Sequence, residues 1–385
     1  MTMDYSMKDY MMMTPGPTQI HPTVLSALAY NYTNPDLDPD FFSFHQNLCQ
    51  KITELMHSDG RTLILGGEGI LGLEAACASF IEQGDRVLTI SNGIFGRGFD
   101  DFSKMYGAET SIYEGDLRSG LDAEAIHQFI QQHGPFELAT LVHCETPSGI
   151  TNDIAAVGEV LKRHDIFSIV DAVSSFGGEP LDMMACGFDA VLCGSQKVIS
   201  APVGLSTVTI SPRAIERLKN RSTPIRAYYA NLAIWLDVYE KKSFPYTQPI
   251  QLIKALDTAI DRICLNNREQ KHLWVGNAVR QAFVSLGFEL YALDHFSNTV
   301  TTVLLPEGIE FDVLFTHMKD MQGILIGGGF NYLENRIFRI GHMGENASFE
   351  SMRRVFEALG ESFRALGRAS EDDFAAVFNA CALNQ

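Results

Sequence analysis

Val170-Asp171-Ala172-Val173-Ser174-Ser175-Phe176-Gly177-Gly178 continues the apolar run Ile166–Val170, and Gly194-Ser195-Gln196-Lys197 follows the run Ala190–Cys193. An aspartate at the C-terminal end of a buried strand stands where open α/β sheets place their ligands. The same residue is also a common helix cap or turn former. A lysine in a Ser/Gly turn among apolar neighbours is a candidate Schiff-base former, because partial burial lowers its pKa and frees the lone pair. Taken alone, a surface lysine is the plainer reading.

Upstream, Thr62–Leu65 leads into Gly66-Gly67-Glu68-Gly69 and then a helical pattern from Ile70 to Ile81. Glycines let backbone amides approach a ligand, and a helix N-terminus offers partial positive charge. The turn therefore reads as a phosphate or dinucleotide site, or as a plain tight turn; it matches neither G-x-G-x-x-G nor the P-loop spacing. Strand-like runs at Arg86–Ile90, Ser111–Tyr113, Leu138–His143 and Leu205–Ile210 alternate with helical patterns at Phe95–Tyr106, Asp122–Gln132 and Ile154–His164. Continuous apolar strands separated by helices predict an α/β domain with a mostly parallel sheet covered on both faces.

Beyond Pro249 the pattern changes. One long helical stretch runs to about Phe283, then strand-like runs Phe288–Ala292 and Thr299–Leu305. A helix at Phe311–Lys319, the glycine cluster Gly327–Gly329, a strand at Ile337–Ile340 and a helix at Phe349–Leu366 follow. These read as a smaller C-terminal α+β domain. The expected division is a large domain at 20–270 and a small one at 271–385, joined by an N-terminal segment 1–19 that precedes a helix at Pro22–Tyr30.

The 385 residues are 46% hydrophobic and 20% charged, the profile of a folded chain with a sizeable core. Lys plus Arg number 29 against 47 Asp plus Glu, a net charge of −18. No basic field is available to bind nucleic acid or an anionic membrane. Seven cysteines without a C-x-x-C pair disfavour a disulfide framework or a metal site and favour a reducing compartment. Without a signal-peptide pattern or a long apolar stretch, the expected location is cytoplasmic.

Asp171 and Lys197 lie 26 residues apart, each after a strand, with a Gly-rich helix start and an aromatic residue, Phe95, upstream. Together they meet the demands of pyridoxal chemistry. A lysine forms the imine, a carboxylate keeps the pyridine nitrogen protonated, an aromatic ring stacks on the cofactor, and a helix N-terminus holds the phosphate.

The chain resembles the class V pyridoxal-phosphate aminotransferases, with an aspartate-aminotransferase-like fold of type I. The resemblance covers nearly its whole length: TPGPT (14–18), LGGEGILGLEAA (65–76), HCETPSGI (143–150), VDAVSSFGG (170–178), GSQK (194–197), FPYT (244–247) and FRIGHMG (338–344). The pyridoxamine–pyruvate branch looks nearest, followed by the alanine–glyoxylate and 2-aminoethylphosphonate branches. The resemblance implies amino transfer from an amino donor to a small 2-oxo acid, pyruvate or glyoxylate, through a Lys197 Schiff base. The ring would be pyridoxal 5′-phosphate, or unphosphorylated pyridoxal or pyridoxamine as substrate.

By the same resemblance Asp171 would pair with the pyridine nitrogen, Phe95 and Val173 would pack on the two ring faces, and Thr146 would lie near the 3-hydroxyl. Glu68, Gly69, Ile70 and Gln196 would line the phosphate end, and Thr247 would reach it from a partner, which implies a homodimer with a shared site. Arg339 would clamp the substrate carboxylate, with Gly16 beside the substrate. Glu68 stands where relatives that hold the phosphorylated cofactor carry a small hydroxyl residue, and the pyridoxamine–pyruvate branch has a glutamate there. Phe330 stands where that branch has a second arginine. Alternatives on the same scaffold are a cofactor-retaining alanine–glyoxylate, serine–pyruvate or 2-aminoethylphosphonate aminotransferase, a lyase, or a non-catalytic vitamer binder. Desulfurase chemistry needs a loop cysteine, and Gly327–Phe330 offers none.

Other features take plainer readings. Asp36, Asp38 and Asp40 in NPDLDPD suggest a solvated turn. His143 and His342 suggest structural groups, Cys144 and Cys193 buried packing, and Lys219, Arg221 and Arg226 a solvated basic face.

Overall fold

The computed structural model describes residues 8–265, 267–368 and 372–383. Seven strands build the large sheet: β1 (Arg61–Gly66), β2 (Arg86–Ser91), β3 (Glu109–Glu114), β4 (Leu138–Val142), β5 (Phe167–Asp171), β6 (Ala190–Gly194) and β7 (Leu205–Ile210). Their spatial order is β1-β7-β6-β5-β4-β2-β3. Strand β7 runs against both neighbours, and the remaining adjacent pairs are parallel. Every residue of β4 to β7 is buried, which is why these strands read as unbroken apolar runs.

This topology positions the site. Helices Gly69–Phe80 and Ile94–Met105 start just after β1 and β2. Their N-termini therefore meet the carboxyl edge of the sheet, beside Asp171 at the end of β5 and Gly194 at the end of β6. Asp171 pairs in register with Val142 and Leu192, which fixes its height on that edge.

A second, four-stranded sheet contains β8 (Thr301–Leu304), β9 (Ile324–Gly328) and β10 (Ile337–Ile340). Its fourth strand is Met11–Met13, which pairs parallel with the free edge of β9. Beside two small ones, two large apolar clusters make up the core. One draws on residues from Val24 to Ile263; the other combines Met13 with residues from Val275 to Ala382.

Three expectations need correction. Phe288–Ala292 is not a strand; it makes a single bridge, Leu290 to Val303. The stretch from Pro249 is two helices, Ile250–Leu265 and Arg268–Ser285, with Asn267 between them in the left-handed region at φ 42°. NPDLDPD is the expected solvated turn, with residues 35–37 in a turn and Asp36 exposed, and it runs straight into a helix: the Asp38 side chain accepts from Asp40 N, Pro39 takes the first helical position, and the helix runs to Leu55. Arg221 is not simply solvated, since its Nη1 donates to the carbonyls of Ser79 (2.7 Å) and Ile81 (3.0 Å) at the end of helix Gly69–Phe80. Among the described residues no helix is long and apolar enough to cross a membrane.

Candidate active site

A cavity of about 360 Å³ opens at the carboxyl edge of the large sheet. It gathers ten residues singled out in the sequence: Gly16, Glu68, Gly69, Ile70, Phe95, Thr146, Asp171, Val173, Gln196 and Lys197. They arrive from six separate parts of the chain, and the sheet order brings them together.

Asp171 Oδ1 accepts from the Val173 amide at 2.8 Å, so the turn after β5 aims the carboxylate and places Val173 beside it. Burial raises the Asp171 pKa to about 6, against the pull of the Lys197 charge. Lys197 follows β6, and Thr18 Oγ1 and Ser200 N both donate to its carbonyl. Its Nζ donates to the Pro15 carbonyl at 2.6 Å. Burial and then the positive charge of Arg339 lower the Lys197 pKa to about 8. Gly16 sits at φ 92°, and a Cβ there would collide with Lys197 Cδ. The N-terminal segment can pass this close to the amine only because the residue is glycine.

Glu68 is the N-cap of helix Gly69–Phe80. Its Oε1 accepts from Ile70 N at 3.0 Å, and its Oε2 accepts from Gln196 Nε2 at 3.2 Å. The helix N-terminus that could receive a phosphate is thus already facing a carboxylate of its own chain. Thr146 Oγ1 donates to Ser174 Oγ at 2.6 Å. Gly69 and Gly194 crowd Val173, so extra side-chain bulk at either would press on the cavity wall.

Arg339, on β10, is buried close to the cavity. Its Nε donates to the Gly328 carbonyl at 2.8 Å, and its guanidinium lies 5.5 Å from the Phe330 ring centroid. Among the described residues its two Nη atoms donate to no protein group, which leaves the fork available. Burial lowers the Arg339 pKa to about 10, so it stays cationic at neutral pH. Phe330 also meets Phe95 edge-on, ring centroids 6.1 Å apart.

Thr247 lies outside the cavity in its own chain; it is exposed and donates to Asp36 Oδ2 at 2.9 Å. His143 and His342 are buried, and burial lowers both pKa values, to about 4 and about 3, which makes them neutral packing groups at pH 7. Burial pushes the Cys144 thiol up to about 12 and raises Cys193 well above the ordinary thiol value, so neither supplies a thiolate.

Sequence reasoning passed over two residues. Ser174 lines the cavity as the partner of Thr146. Glu145 is fully buried, accepting from the amides of Phe95 and Gly96. An acidic residue inside the otherwise buried HCETPSGI stretch was the available signal, since an isolated buried charge is costly without a partner.

The seven-stranded, mostly parallel sheet with its helices, together with the second, four-stranded sheet, makes this a fold type I aminotransferase. The chain belongs to the class V aminotransferases: the family model "Aminotransferase class-V" matches residues 12–262. It is 31% identical over 363 residues to a pyridoxamine–pyruvate transaminase of Mesorhizobium japonicum, covering 92% of each chain. Among solved structures it is similar to pyridoxamine-pyruvate aminotransferase from Mesorhizobium loti, at 28% identity and a TM-score of 0.93 with 98% of each chain covered. It is also similar to ureidoglycine-glyoxylate aminotransferase from Bacillus subtilis, at 26% identity and a TM-score of 0.94, covering 99% of this chain and 100% of that one. The protein is an enzyme of the aminotransferase class, a family that works with pyridoxal phosphate.

Proposed function

We propose that this aminotransferase uses the unphosphorylated vitamer as its substrate and moves the amino group of pyridoxamine to a small 2-oxo acid, pyruvate or glyoxylate. The cavity fits a pyridoxal ring: an apolar wall at Phe95 and Val173, a buried carboxylate at Asp171 and a buried amine at Lys197. Bound there, the ring would supply the electron sink that makes amino transfer possible. The observation that carries the vitamer reading is Glu68, whose carboxylate takes the Ile70 and Gln196 donors at the phosphate end. A carboxylate repels a phosphate but accepts a hydrogen bond from the vitamer's 5′-hydroxyl. The similarity to pyridoxamine–pyruvate transaminases supports the same reading.

The chain's own groups then divide the work. Asp171 holds a proton at the ring nitrogen. Lys197, with a pKa near 8, supplies a neutral amine at slightly alkaline pH as nucleophile and proton carrier. The open Arg339 fork binds the 2-oxo acid carboxylate in bidentate fashion. Gly16 leaves room for the Lys197 side chain, and Thr146 with Ser174 would hold the ring's 3-hydroxyl.

The working unit in this reading is a homodimer. Ile70 and Val203 are apolar, lie on the cavity rim, and are 45% and 53% exposed. A second copy covering that rim would bring its own Thr247 to the site.

The test is to supply purified protein with pyridoxamine and pyruvate and follow both products. Pyridoxal and alanine should form in equal amounts. Turnover of alanine with glyoxylate on retained pyridoxal phosphate, with none of pyridoxamine, would establish the cofactor-retaining alternative, which the glyoxylate-using Bacillus relative favours.

A further inference from the structure

Helix Ile94–Met105 presents Phe95 to the cavity from its first turn. The first amides of a helix lack intrahelical acceptors, and a side chain at the N-cap normally satisfies one of them. Here the N-cap is Gly93, which has no side chain to offer. The acceptor comes from another part of the chain: Glu145 Oε1 takes Phe95 N at 2.8 Å, and Oε2 takes Gly96 N at 3.0 Å.

Gly93 and Glu145 fit each other. Gly93 has an extended backbone, φ −178°, that any residue can adopt. Yet a Cβ at Gly93 would collide with Glu145 Cγ and Cδ. Glycine is thus needed for space and not for conformation. Glu145 itself is fixed from behind. It pairs with Ile150 across a short hairpin, and its carbonyl accepts from Ser148 N, Ser148 Oγ and Gly149 N. The next residue, Thr146, lines the cavity.

We propose that Glu145 is a positioning residue: it replaces the missing N-cap of helix Ile94–Met105 and so fixes the Phe95 ring against the bound pyridine. Both carboxylate oxygens are committed to the helix amides, so Glu145 acts through Phe95 and not on substrate. The inference rests on the reading of Phe95 as the stacking ring.

The experiment uses the full-length protein and three readouts: the dissociation constant of pyridoxal, the visible circular dichroism of the bound ring, and hydrogen exchange of residues 94–96 without ligand. Glu145→Ala should weaken pyridoxal binding tenfold or more, flatten the dichroism and speed exchange at 94–96. Gly93→Ser alone should also weaken binding, through collision with Glu145. The double variant Glu145→Ala/Gly93→Ser should recover to within threefold of wild type, because the serine hydroxyl now caps the helix locally and meets no glutamate. Additive losses in the double variant would overturn the proposal. Glu145→Gln preserves volume and one acceptor and serves if the alanine variant does not fold; it should fall between wild type and Phe95→Ala in dichroism. A glutamine variant identical to wild type in all three readouts would also overturn it. Phe95→Ala separates the two ideas: if it leaves binding and dichroism unchanged, the stacking assignment fails, whereas exchange at 94–96 still reports on the cap.

Discussion

Glu68→Ser tests the proposed part of Glu68 in choosing between phosphorylated and free vitamer. Glu68 accepts two hydrogen bonds at the start of helix Gly69–Phe80, from Ile70 N at 3.0 Å and from Gln196 Nε2 at 3.2 Å. A phosphate entering there has two options. It can sit beside the carboxylate, where one pair of unit charges 4 Å apart costs about 4 kcal/mol at an effective dielectric of 20. Or it can displace Glu68 and forfeit hydrogen bonds to a charged group, about 1.5–3 kcal/mol each. The phosphate regains the freed donors, so we take about 1.4 kcal/mol, a tenfold change, as the lower bound. Serine keeps the cap, since its hydroxyl accepts from the same first-turn amides as aspartate or asparagine would. The melting temperature of the ligand-free protein should therefore hardly move. Absorbance titrations with pyridoxal and pyridoxal phosphate should show the ratio of dissociation constants moving tenfold or more toward the phosphate form in Glu68→Ser. If the wild type retains pyridoxal phosphate through dialysis and the substitution leaves the ratio unchanged, Glu68 does not exclude phosphate.

Three further outcomes follow from Lys197 and Arg339. Burial and Arg339 hold the Lys197 pKa down to about 8. The rate of pyridoxal capture should climb with pH and level off above about 8, and a profile still rising steeply at pH 10 would contradict the burial. The sign for stability is the same. Between pH 8 and the ordinary lysine value of 10.5 the unfolded chain binds more protons than the folded one, so stability from this group is lost as pH falls through 8. Ligand-free Lys197→Met should melt higher than wild type at pH 7, with the gap narrowing above pH 8; a constant gap would refute the linkage. Arg339→Lys keeps the charge but loses the planar fork, so kcat/KM for the oxo acid should drop more than tenfold, about 1.4 kcal/mol. An unchanged kcat/KM would remove Arg339 from the substrate site.

Most of the large sheet was legible because its strands are buried on both faces and its helices are periodic. Ile337–Ile340 came out residue for residue. What escaped depends on partners distant in sequence. Met11–Met13 has no alternation of its own and is a strand only because β9 leaves an open edge. NPDLDPD shows both roles of Asp and Pro: residues 35–37 form the solvated turn, and Asp38 with Pro39 then starts helix Pro39–Leu55, a start that only the following residues reveal. Lys197, Asp171 and Glu68 were legible because each ends or follows an element with a recognisable pattern. Glu145 was not, since its partners Phe95 and Gly96 lie 50 and 49 residues away and meet it only through the sheet order. Thr247 is a different case: the single chain leaves it facing Asp36, and its expected role needs a second copy.

The central claim is that Lys197 carries the ring and that the ring is the free vitamer. Borohydride reduction traps the lysine–ring bond. Wild-type protein should be incubated with equimolar pyridoxal and pyridoxal phosphate, reduced, digested and mapped by mass spectrometry. The account predicts a pyridoxyl group on Lys197, with the phosphorylated form a minor fraction. A label on any other lysine, or a phosphopyridoxyl group dominating at Lys197, would contradict it.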